Sequence, residues 1–278
     1  MTSQVGLVSI KEDVHETYYE ALRLIGGLRD LSSTAKSVVI KLGVYSPTTG
    51  IHTTVDTVRA IINGFNESQK ILLAESDSHA GEALARLQIW ERLFNKRIVP
   101  FSLSSFDDVR GVSVTNEKIA LSQVLFKPSI FVSTHVPRRY EDSGIDDLMS
   151  IGSILKNLLG LIPDKKKARF HKRLPRALMD LFEAIGGIDL AVLDGSYTYL
   201  GRNKERKRVK TDFLAVGRDA ISVEAVEQYL VGLDPLANPI INEANSRGLG
   251  EADINRIEIL GESANELRER IVGSFAEL

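Results

Sequence analysis

Short apolar runs rich in β-branched residues alternate along this chain with segments in which apolar residues recur every three or four positions. The runs predict buried β-strands, and the recurring pattern predicts amphipathic helices. Strands are predicted at 38–42, 70–76, 97–101, 129–134, 188–195, 213–217 and 256–260, and a β-hairpin within 111–126. Helices are predicted at 55–65, 79–94, 145–159, 175–185, 219–231 and 262–275. This alternation predicts an α/β fold, with a mostly parallel or mixed sheet covered by helices on both faces.

No internal repeat or low-complexity linker divides the pattern. We therefore expect a single α/β domain over 1–278, and an arrangement in two lobes, about 1–110 and about 111–278, stays open. The segment 195–211 is charged, contains glycine and is poor in apolar residues, which predicts a mobile loop. The strands at 188–195 and 213–217 are apolar enough to be typical of buried parallel strands.

The composition removes several functional classes. The 278 residues include no cysteine, which excludes disulfides, cysteine-ligated zinc, iron–sulfur clusters held by this chain's own side chains and a cysteine nucleophile. A P-loop, a GxGxxG turn after a strand, a GxSxG elbow and an HExxH motif are also missing from the sequence. The N-terminus lacks the pattern of a signal peptide, and charges interrupt every long apolar stretch. We therefore expect a cytoplasmic protein with no membrane association.

Positive charge is concentrated in two short segments. The chain has 35 Lys and Arg against 37 Asp and Glu, a net charge of −2. Segment 164–176 carries seven basic residues and one acidic residue, segment 202–210 carries six and one, and the rest of the chain sums to −13. Two basic segments on an acidic body indicate a local anionic partner. Nucleic-acid binding is disfavoured, because Phe170 is the single aromatic residue within the two segments.

Ionisable residues stand at the ends of five predicted strands. In an open α/β sheet, ligands bind outside the carboxyl ends of the strands, so these residues are candidates for one shared site. Strand ends are also where polar residues normally begin, and a turn aspartate often caps its own backbone. For Asp219 we favour the structural alternative, which is the N-cap of the helix at 219–231. The residues are Lys41, Glu75, Asp77, His135, Asp194, Arg218 and Asp219.

The candidate chemistry centres on His135. A neutral imidazole can act as a general base or ligate a metal, although a single histidine is usually a surface or capping residue. Lys156 and Asn157 interrupt an apolar helical run, where they either hold an anion or, for the lysine, extend to solvent. His171, in the first basic segment, can join His135 and Asp194 as a set of metal ligands. Since no close spacing such as HxH exists, the metal remains unassigned.

Four stretches of the chain carry a resemblance when taken in order. They are VVIKLGVYSPTTGIHTTVDTVRAII, FVSTHVPRR followed by ILKNLLGLIPDKKKARFH, IDLAVLDGSYTYLG, and FLAVGRDAISVEAVEQYLVGLDP with INEANSRGLGEADINRIEILG. With these stretches, which cover roughly two-thirds of its length, the chain resembles the DUF362 family. It departs from that family at Leu42-Gly43, where Pro-Asn is usual, and at Ser133-Thr134, where Lys is usual before the histidine.

The resemblance implies an α/β fold with a site at the strand ends, and it does not imply a particular reaction. Many relatives carry an attached ferredoxin-like cysteine cluster, so a redox role here would require a borrowed electron carrier. Our first hypothesis is an enzyme that binds a small anionic carboxylate or phosphate ligand. The alternative is a non-catalytic accessory protein whose basic segments 164–176 and 202–210 engage an acidic partner such as a ferredoxin.

The candidate residues under the first hypothesis fall into two groups. The catalytic candidates are His135, Asp194 and Lys156. The ligand-binding candidates are Lys41, Thr53, Glu75, Asn157, His171 and Asp219. The cofactor, the metal and the oligomeric state are left unassigned.

Overall fold

The computed structural model describes residues 2–32, 37–105, 107–126, 128–139, 153–201 and 206–276. Its strands are β1 (Gln4–Ser9), β2 (Ser37–Leu42), β3 (Val44–Ser46), β4 (Ile51–His52), β5 (Lys70–Glu75), β6 (Ile98–Ser102), β7 (Val109–Val114), β8 (Glu117–Ser122), β9 (Ile130–His135), β10 (Arg138–Arg139), β11 (Leu190–Leu200), β12 (Lys207–Gly217) and β13 (Glu258–Gly261). Its helices are α1 (Val14–Leu24), α2 (Arg29–Ser32), α3 (Val55–Gly64), α4 (Ala83–Leu87), α5 (Leu174–Ile185), α6 (Ala220–Leu230), α7 (Pro239–Ser246) and α8 (Ala264–Ala276).

Within these described ranges, nine strands form one large sheet in the order β13-β1-β12-β11-β9-β2-β5-β6, with β10 paired beside β11. The pairs β11–β9, β9–β2, β2–β5 and β5–β6 are parallel. Strand β12 runs antiparallel to both of its neighbours, β11 and β1. The prediction of an α/β fold with a mostly parallel or mixed sheet is therefore confirmed.

Two hydrophobic cores cover the two faces of this sheet. Successive residues of β2 alternate between them, since Val39 packs into one core while Val38 and Ile40 pack into the other. The first core receives apolar side chains of α5, α6, α7 and α8. The second receives those of α1, α3 and α4. The continuous apolar run Val38–Ile40 of β2 is thus explained by helices on both sides of the sheet.

Local signals in the sequence account for several element boundaries. The side chain of Thr54 accepts a hydrogen bond from the backbone N–H of Thr57 and caps α3, as predicted. Helix α5 carries Pro175 in its first turn and ends at Gly186, whose φ of 81° suits glycine. The predicted hairpin is formed by β7 and β8, and its two turn residues both adopt positive φ.

Other predictions are corrected. The segment 195–211, predicted to be a mobile loop, is largely a continuation of β11 and β12, which pair from Tyr197 with Lys210 to Leu200 with Lys207. The predicted helix 79–94 is the short α4 followed by a 3₁₀ segment, Gln88–Leu93. Of the predicted helix 145–159, residues 145–152 lie outside the described ranges, and Lys156–Leu161 is a 3₁₀ segment. Strand β1 and helix α1 were not predicted.

A separate observation concerns the length of the helices. In the described part of the chain, none combines the length and the apolar character that are needed to cross a lipid bilayer.

Candidate functional site

A cavity of ≈ 390 Å³ opens at the carboxyl ends of β2, β5 and β9. Its walls come from those strand ends, from the 3₁₀ segment Lys156–Leu161 and from a second 3₁₀ segment, Lys167–Arg173. Because the three strands are parallel, their ends meet at one edge of the sheet, as the sequence predicts. The polar residues among its described lining are Lys41, Tyr45, Glu75, Ser78, His79, Arg86, His135, Arg138, Lys156, Asn157, Lys165, Lys167 and His171.

Positive charge dominates this lining. The described lining residues include six Lys or Arg side chains and three histidines, against a single carboxylate, Glu75. Oxygen Oε1 of Glu75 lies 3.0 Å from Nζ of Lys41, and Oε2 lies 3.1 Å from a guanidinium nitrogen of Arg86. The carboxylate of the described lining is therefore already bound by two buried cations.

Lys41 is fully engaged by protein oxygens. Its Nζ donates to the carbonyl of Leu42 at 2.9 Å and to Oδ1 of Asn157 at 2.8 Å, in addition to its ion pair with Glu75. Burial is the largest influence on this group and lowers the pKa of Lys41, while the Glu75 carboxylate opposes that shift. Gly160 covers the same amine, because a Cβ there would lie 2.6 Å from Cε of Lys41. Lys41 thus forms part of the cavity's internal framework.

Asn157 connects the 3₁₀ segment to two strand ends. Its Nδ2 donates to the carbonyl of Lys41 at 3.1 Å and to the carbonyl of Thr134 at 3.2 Å, and its Oδ1 accepts from Nζ of Lys41. Both ends of the amide are therefore bound to protein atoms. The residue lines the cavity, and in this structure its hydrogen bonds position β2 and β9.

His135 stands at the end of β9 and is buried in the cavity wall. The backbone N–H of Val136 donates to its Nδ1 at 2.7 Å. Burial, reinforced by the charges of Arg138, Lys41 and Lys156, holds the pKa of His135 well below its usual range. A neutral imidazole that accepts at Nδ1 carries its proton on Nε2, so this side chain has a hydrogen bond to donate from Nε2.

Gly43 explains how the ring fits against β2. A Cβ at this position would lie 2.3 Å from Cγ of His135, far closer than atoms can approach. The glycine at 43, where the sequence departs from the Pro-Asn of the related pattern, therefore makes room for the imidazole.

Lys167 is a cavity residue that sequence reasoning did not select. Its side chain is only 9% exposed, and its Nζ donates to Oγ of Ser76, which in turn donates to the carbonyl of Gly160 at 2.5 Å. Burial is the largest influence and lowers the pKa of Lys167 to about 8, with Lys41 and Arg86 acting in the same direction. The basic segment 164–176 was singled out as a whole, but its pattern does not show which lysine turns inward.

The basic segment 164–176 contributes more than Lys167 to the cavity. Lys165 and His171 also belong to the lining. Burial, together with the charge of Lys156 and the neighbouring His79, lowers the pKa of His171. On the other side of the opening, Tyr45 faces the guanidinium of Arg206, 5.0 Å from its ring centroid.

Asp194 and Thr53 are buried nearby but do not belong to the cavity lining. Oδ2 of Asp194 accepts from the backbone N–H and from Oγ1 of Thr54, both at 2.7 Å. Oδ1 accepts from the backbone N–H of Ser196 at 3.1 Å and from its hydroxyl at 2.6 Å. Four donors satisfy this carboxylate, which ties β11 to the N-terminus of α3. Thr53 accepts at its carbonyl from Nε1 of Trp90.

Asp219 lies at the opposite edge of the sheet. Strand β12 runs antiparallel to β11, so its carboxyl end, Gly217, pairs with Ala191 near the start of β11. The Asp219 side chain caps α6 by accepting from the backbone N–H groups of Ile221 and Ser222. The structure therefore agrees with the N-cap interpretation and separates Asp219 from the cavity. The expectation that 213–217 is a parallel strand is wrong.

A metal site is not formed by the described side chains. In the ranges that the structure covers, three or more His, Asp or Glu side chains do not come together in a way that would hold a metal ion. His135 and His171 share the cavity, whereas the oxygens of Asp194 are directed to Thr54 and Ser196. The metal-ligand set His135, His171 and Asp194 is therefore not assembled in this structure.

The fold and the cavity define an α/β protein with a positively charged pocket at the carboxyl edge of its parallel strands. The family model described as "Domain of unknown function (DUF362)" matches residues 38–227, a span that includes every strand from β2 to β12. The chain therefore belongs to the DUF362 family. A search of curated proteins finds no match to it.

Proposed function

We propose that the cavity binds a small anionic ligand, a carboxylate or a phosphate, and that the protein acts on this ligand as an enzyme. The observation that carries the proposal is the excess of cations over carboxylates in the lining. Buried or half-buried cations are costly without a counter-charge. Since Glu75 is already bound by Lys41 and Arg86, an anion from solution would add negative charge beside Lys165 and Lys167.

The neighbouring side chains support a division of roles within this site. Lys165 and Lys156, which line the cavity, would attract and hold the anionic group. His135 would donate a hydrogen bond from Nε2 to an oxygen of the ligand, because Nδ1 is occupied by the N–H of Val136. A histidine that is neutral at pH 7 and donates in this way can polarise a carbonyl or stabilise a developing oxyanion.

The alternative proposal is an accessory protein that binds an acidic partner through its basic segments. Two observations make this alternative less well supported than anion binding in the cavity. Lys167, in the first segment, is buried, and Arg169 already pairs with Asp164 at 2.7 Å and with Glu117 at 2.8 Å. Fewer cations are therefore left for an outside partner than the sequence suggests. Association that weakens steeply with salt would favour this alternative.

The test of anion binding compares two adjacent lysines that differ in one respect. Lys165 and Lys166 are both exposed, and only Lys165 lines the cavity. Inorganic phosphate is titrated into the native chain and into the Lys165→Ala and Lys166→Ala variants at fixed ionic strength, and binding is measured by calorimetry. We expect Lys165→Ala to weaken phosphate binding several-fold, while Lys166→Ala stays close to the native chain.

Two outcomes would contradict the proposal. One is a native chain that shows no saturable binding of phosphate or of small carboxylates such as acetate and malonate at low ionic strength. The other is equal weakening by both lysine variants, which would indicate general attraction to a positive surface instead of a site in the cavity.

A further inference from the structure

Two buried lysines face the same cavity in very different surroundings. Nζ of Lys41 is held by Glu75, by Asn157 and by the carbonyl of Leu42, so all three of its donors are used. Among the described residues, Nζ of Lys167 donates to one neutral acceptor, Oγ of Ser76, and forms no ion pair with a carboxylate. The two oxygens of Glu75 are bound by Lys41 and Arg86.

The charges around Lys167 favour its unprotonated form. Lys41 and Arg86 face it across the cavity and disfavour a third positive charge, in addition to the larger effect of burial. The carboxylates of Glu75 and Asp164 act in the opposite direction, and the net result is a pKa of about 8. At pH 7 roughly a tenth of the side chain is then the amine, which is the state in which lysine is a nucleophile.

We propose that Lys167 is a nucleophilic lysine that forms an imine with a small aldehyde or ketone that carries a carboxylate or phosphate group. This inference deepens the proposed function and rests on it, because the anionic group would be held by the cavity cations. Its basis is the position of Lys167 inside the cavity, with one neutral hydrogen-bond partner and with lining side chains that can bind an anion and donate a proton.

The chemistry balances without an oxidant or a reductant. The lone pair on Nζ attacks the carbonyl carbon, a C–N bond forms, and the carbonyl π electrons move to oxygen. A proton passes from nitrogen to that oxygen to give a carbinolamine. The C–O bond then breaks, the oxygen takes up a further proton and leaves as water, and a protonated imine remains on Lys167. His135, which carries a proton on Nε2, and His171 line the same cavity and can supply hydrogen bonds to the departing oxygen.

The experiment is reductive trapping on the full chain. Glyoxylate, a small anionic aldehyde, is added with sodium cyanoborohydride, and the reduced imine remains on each lysine as a carboxymethyl group. Mass spectrometry of peptides measures the labelling rate of Lys167 against that of Lys166, its exposed neighbour outside the cavity lining. The same measurement with acetaldehyde, which is uncharged, tests the need for the anionic group.

We expect Lys167 to be labelled by glyoxylate at least tenfold faster than Lys166 at pH 7. The rate at Lys167 should level off above pH of about 8. Acetaldehyde should show a much smaller preference for Lys167, and inorganic phosphate should protect Lys167 from glyoxylate without affecting Lys166.

The outcomes separate this inference from the anion site on which it rests. Saturable phosphate binding together with labelling of Lys167 no faster than Lys166 would overturn the imine proposal and leave the anion site intact. Fast labelling of Lys167 by both aldehydes alike, without protection by phosphate, would overturn the anionic substrate class and with it the proposed function.

Discussion

Glu75 and Asp194 are both buried carboxylates close to the carboxyl edge of the sheet, yet their surroundings differ in kind. Glu75 is bound by the charged groups of Lys41 and Arg86, and its neighbours include further cations of the cavity. Asp194 is bound by the backbone N–H groups and hydroxyls of Thr54 and Ser196. Glu75 lies in a lining that has more cations than carboxylates. Both carboxylate oxygens of Asp194 accept hydrogen bonds from neutral donors.

This difference separates a binding site from a structural connection. A carboxylate whose oxygens are filled by neutral donors of the fold has little left to offer a ligand. A cluster with more cations than carboxylates is stabilised when an anionic ligand adds negative charge. We therefore place the functional hypothesis at the cavity that contains Lys41, Glu75 and Arg86. Asp194 connects β11 to the N-terminus of α3.

The largest expected effect is that of removing the negative charge from the cavity. Glu75→Gln leaves Lys41 and Arg86 buried without a carboxylate, so we expect a loss of about 3 kcal/mol in the free energy of unfolding. Urea denaturation measures this loss. Because the variant has a larger surplus of cations, phosphate should raise its Tm by more than it raises that of the native chain.

Glu91→Gln is the matched control for Glu75→Gln, since Glu91 is exposed on the 3₁₀ segment Gln88–Leu93. We expect a change within about 0.5 kcal/mol for this variant. A loss below about 1 kcal/mol for Glu75→Gln would show that the cations need no counter-charge from the fold, and the comparison with Asp194 would then fail.

The second prediction concerns Asp194, whose two carboxylate oxygens accept hydrogen bonds from Thr54 and Ser196. Asp194→Asn replaces one acceptor oxygen by an NH₂ group that faces existing donors, so we expect destabilisation by about 2 kcal/mol. Phosphate binding by the folded variant should match that of the native chain. Urea denaturation and calorimetry measure the two quantities, and Asp56→Asn, at an exposed position in the first turn of α3, serves as the control. Abolished anion binding in folded Asp194→Asn would return Asp194 to the list of functional candidates.

A third buried site sharpens the comparison, because in it two carboxyl groups lie side by side. Glu224 and Glu227 of α6 lie together in the core and share the hydroxyl of Ser153 as a donor. Burial is the largest cause that raises the pKa of Glu224 and of Glu227, and for Glu227 the charge of Glu224 adds to it. The Ser153 hydroxyl, the backbone N–H of Leu155 and the charge of Arg138 act against the rise at Glu224, and burial outweighs them.

The sign of the resulting pH dependence follows from proton linkage. Above the ordinary glutamate range the unfolded chain has lost a proton that the folded chain still binds, so rising pH reduces stability until the raised pKa is passed. Glu227→Gln carries no such proton. We expect the stability of the variant relative to that of the native chain to increase as pH rises from about 5 to about 7. Urea denaturation across that range measures the gain.

Glu269→Gln, at an exposed position of α8, is the control for this pH series and should follow the native profile. A Glu227→Gln variant whose stability runs parallel to that of the native chain at every pH would mean that the buried pair is ionised in the folded state.

The smallest expected effect lies at the surface. Arg169 pairs with Asp164 and Glu117 at a partly exposed position, so Arg169→Met should cost less than about 1 kcal/mol, and high salt should remove the difference. Lys172→Met, an exposed lysine of the same 3₁₀ segment, provides the reference. A cost above about 2 kcal/mol would mean that the first basic segment depends on its ion pairs for its structure.

Much of the fold could be predicted because local patterns encode it. The alternation of apolar runs and amphipathic segments indicated the strands of the parallel half of the sheet, and turn and cap residues placed α3, α5 and the β7–β8 hairpin. The pattern failed at 195–211, where β11 and β12 continue as a charged ribbon of two strands. The extension of β11 packs Tyr199 against Ile51 and Val136, and the charged residues of β12 hide this strand pair from a reading of hydrophobicity.

The candidate site was predictable where its residues stand at the ends of parallel strands, because those ends lie at one edge of the sheet. Lys41, Glu75 and His135 follow parallel strands, and the sequence alone placed them at one edge of the sheet. The sequence could not decide the direction of β12, since an apolar strand reads the same in either orientation. The antiparallel pairing with β11 is a tertiary contact, and it moves Asp219 to the far edge.

What only the tertiary structure decided is which polar groups satisfy one another. Asp194 meets Thr54 across 140 positions of the chain, and Lys167 meets Ser76 across 91. The sequence determined that a dense run of positive charge exists at 164–176, while packing determined that Lys167 turns inward and Lys166 outward. Burial and hydrogen bonding are properties of surroundings assembled from distant segments, so the same side chain acquires its chemistry only when the chain has folded.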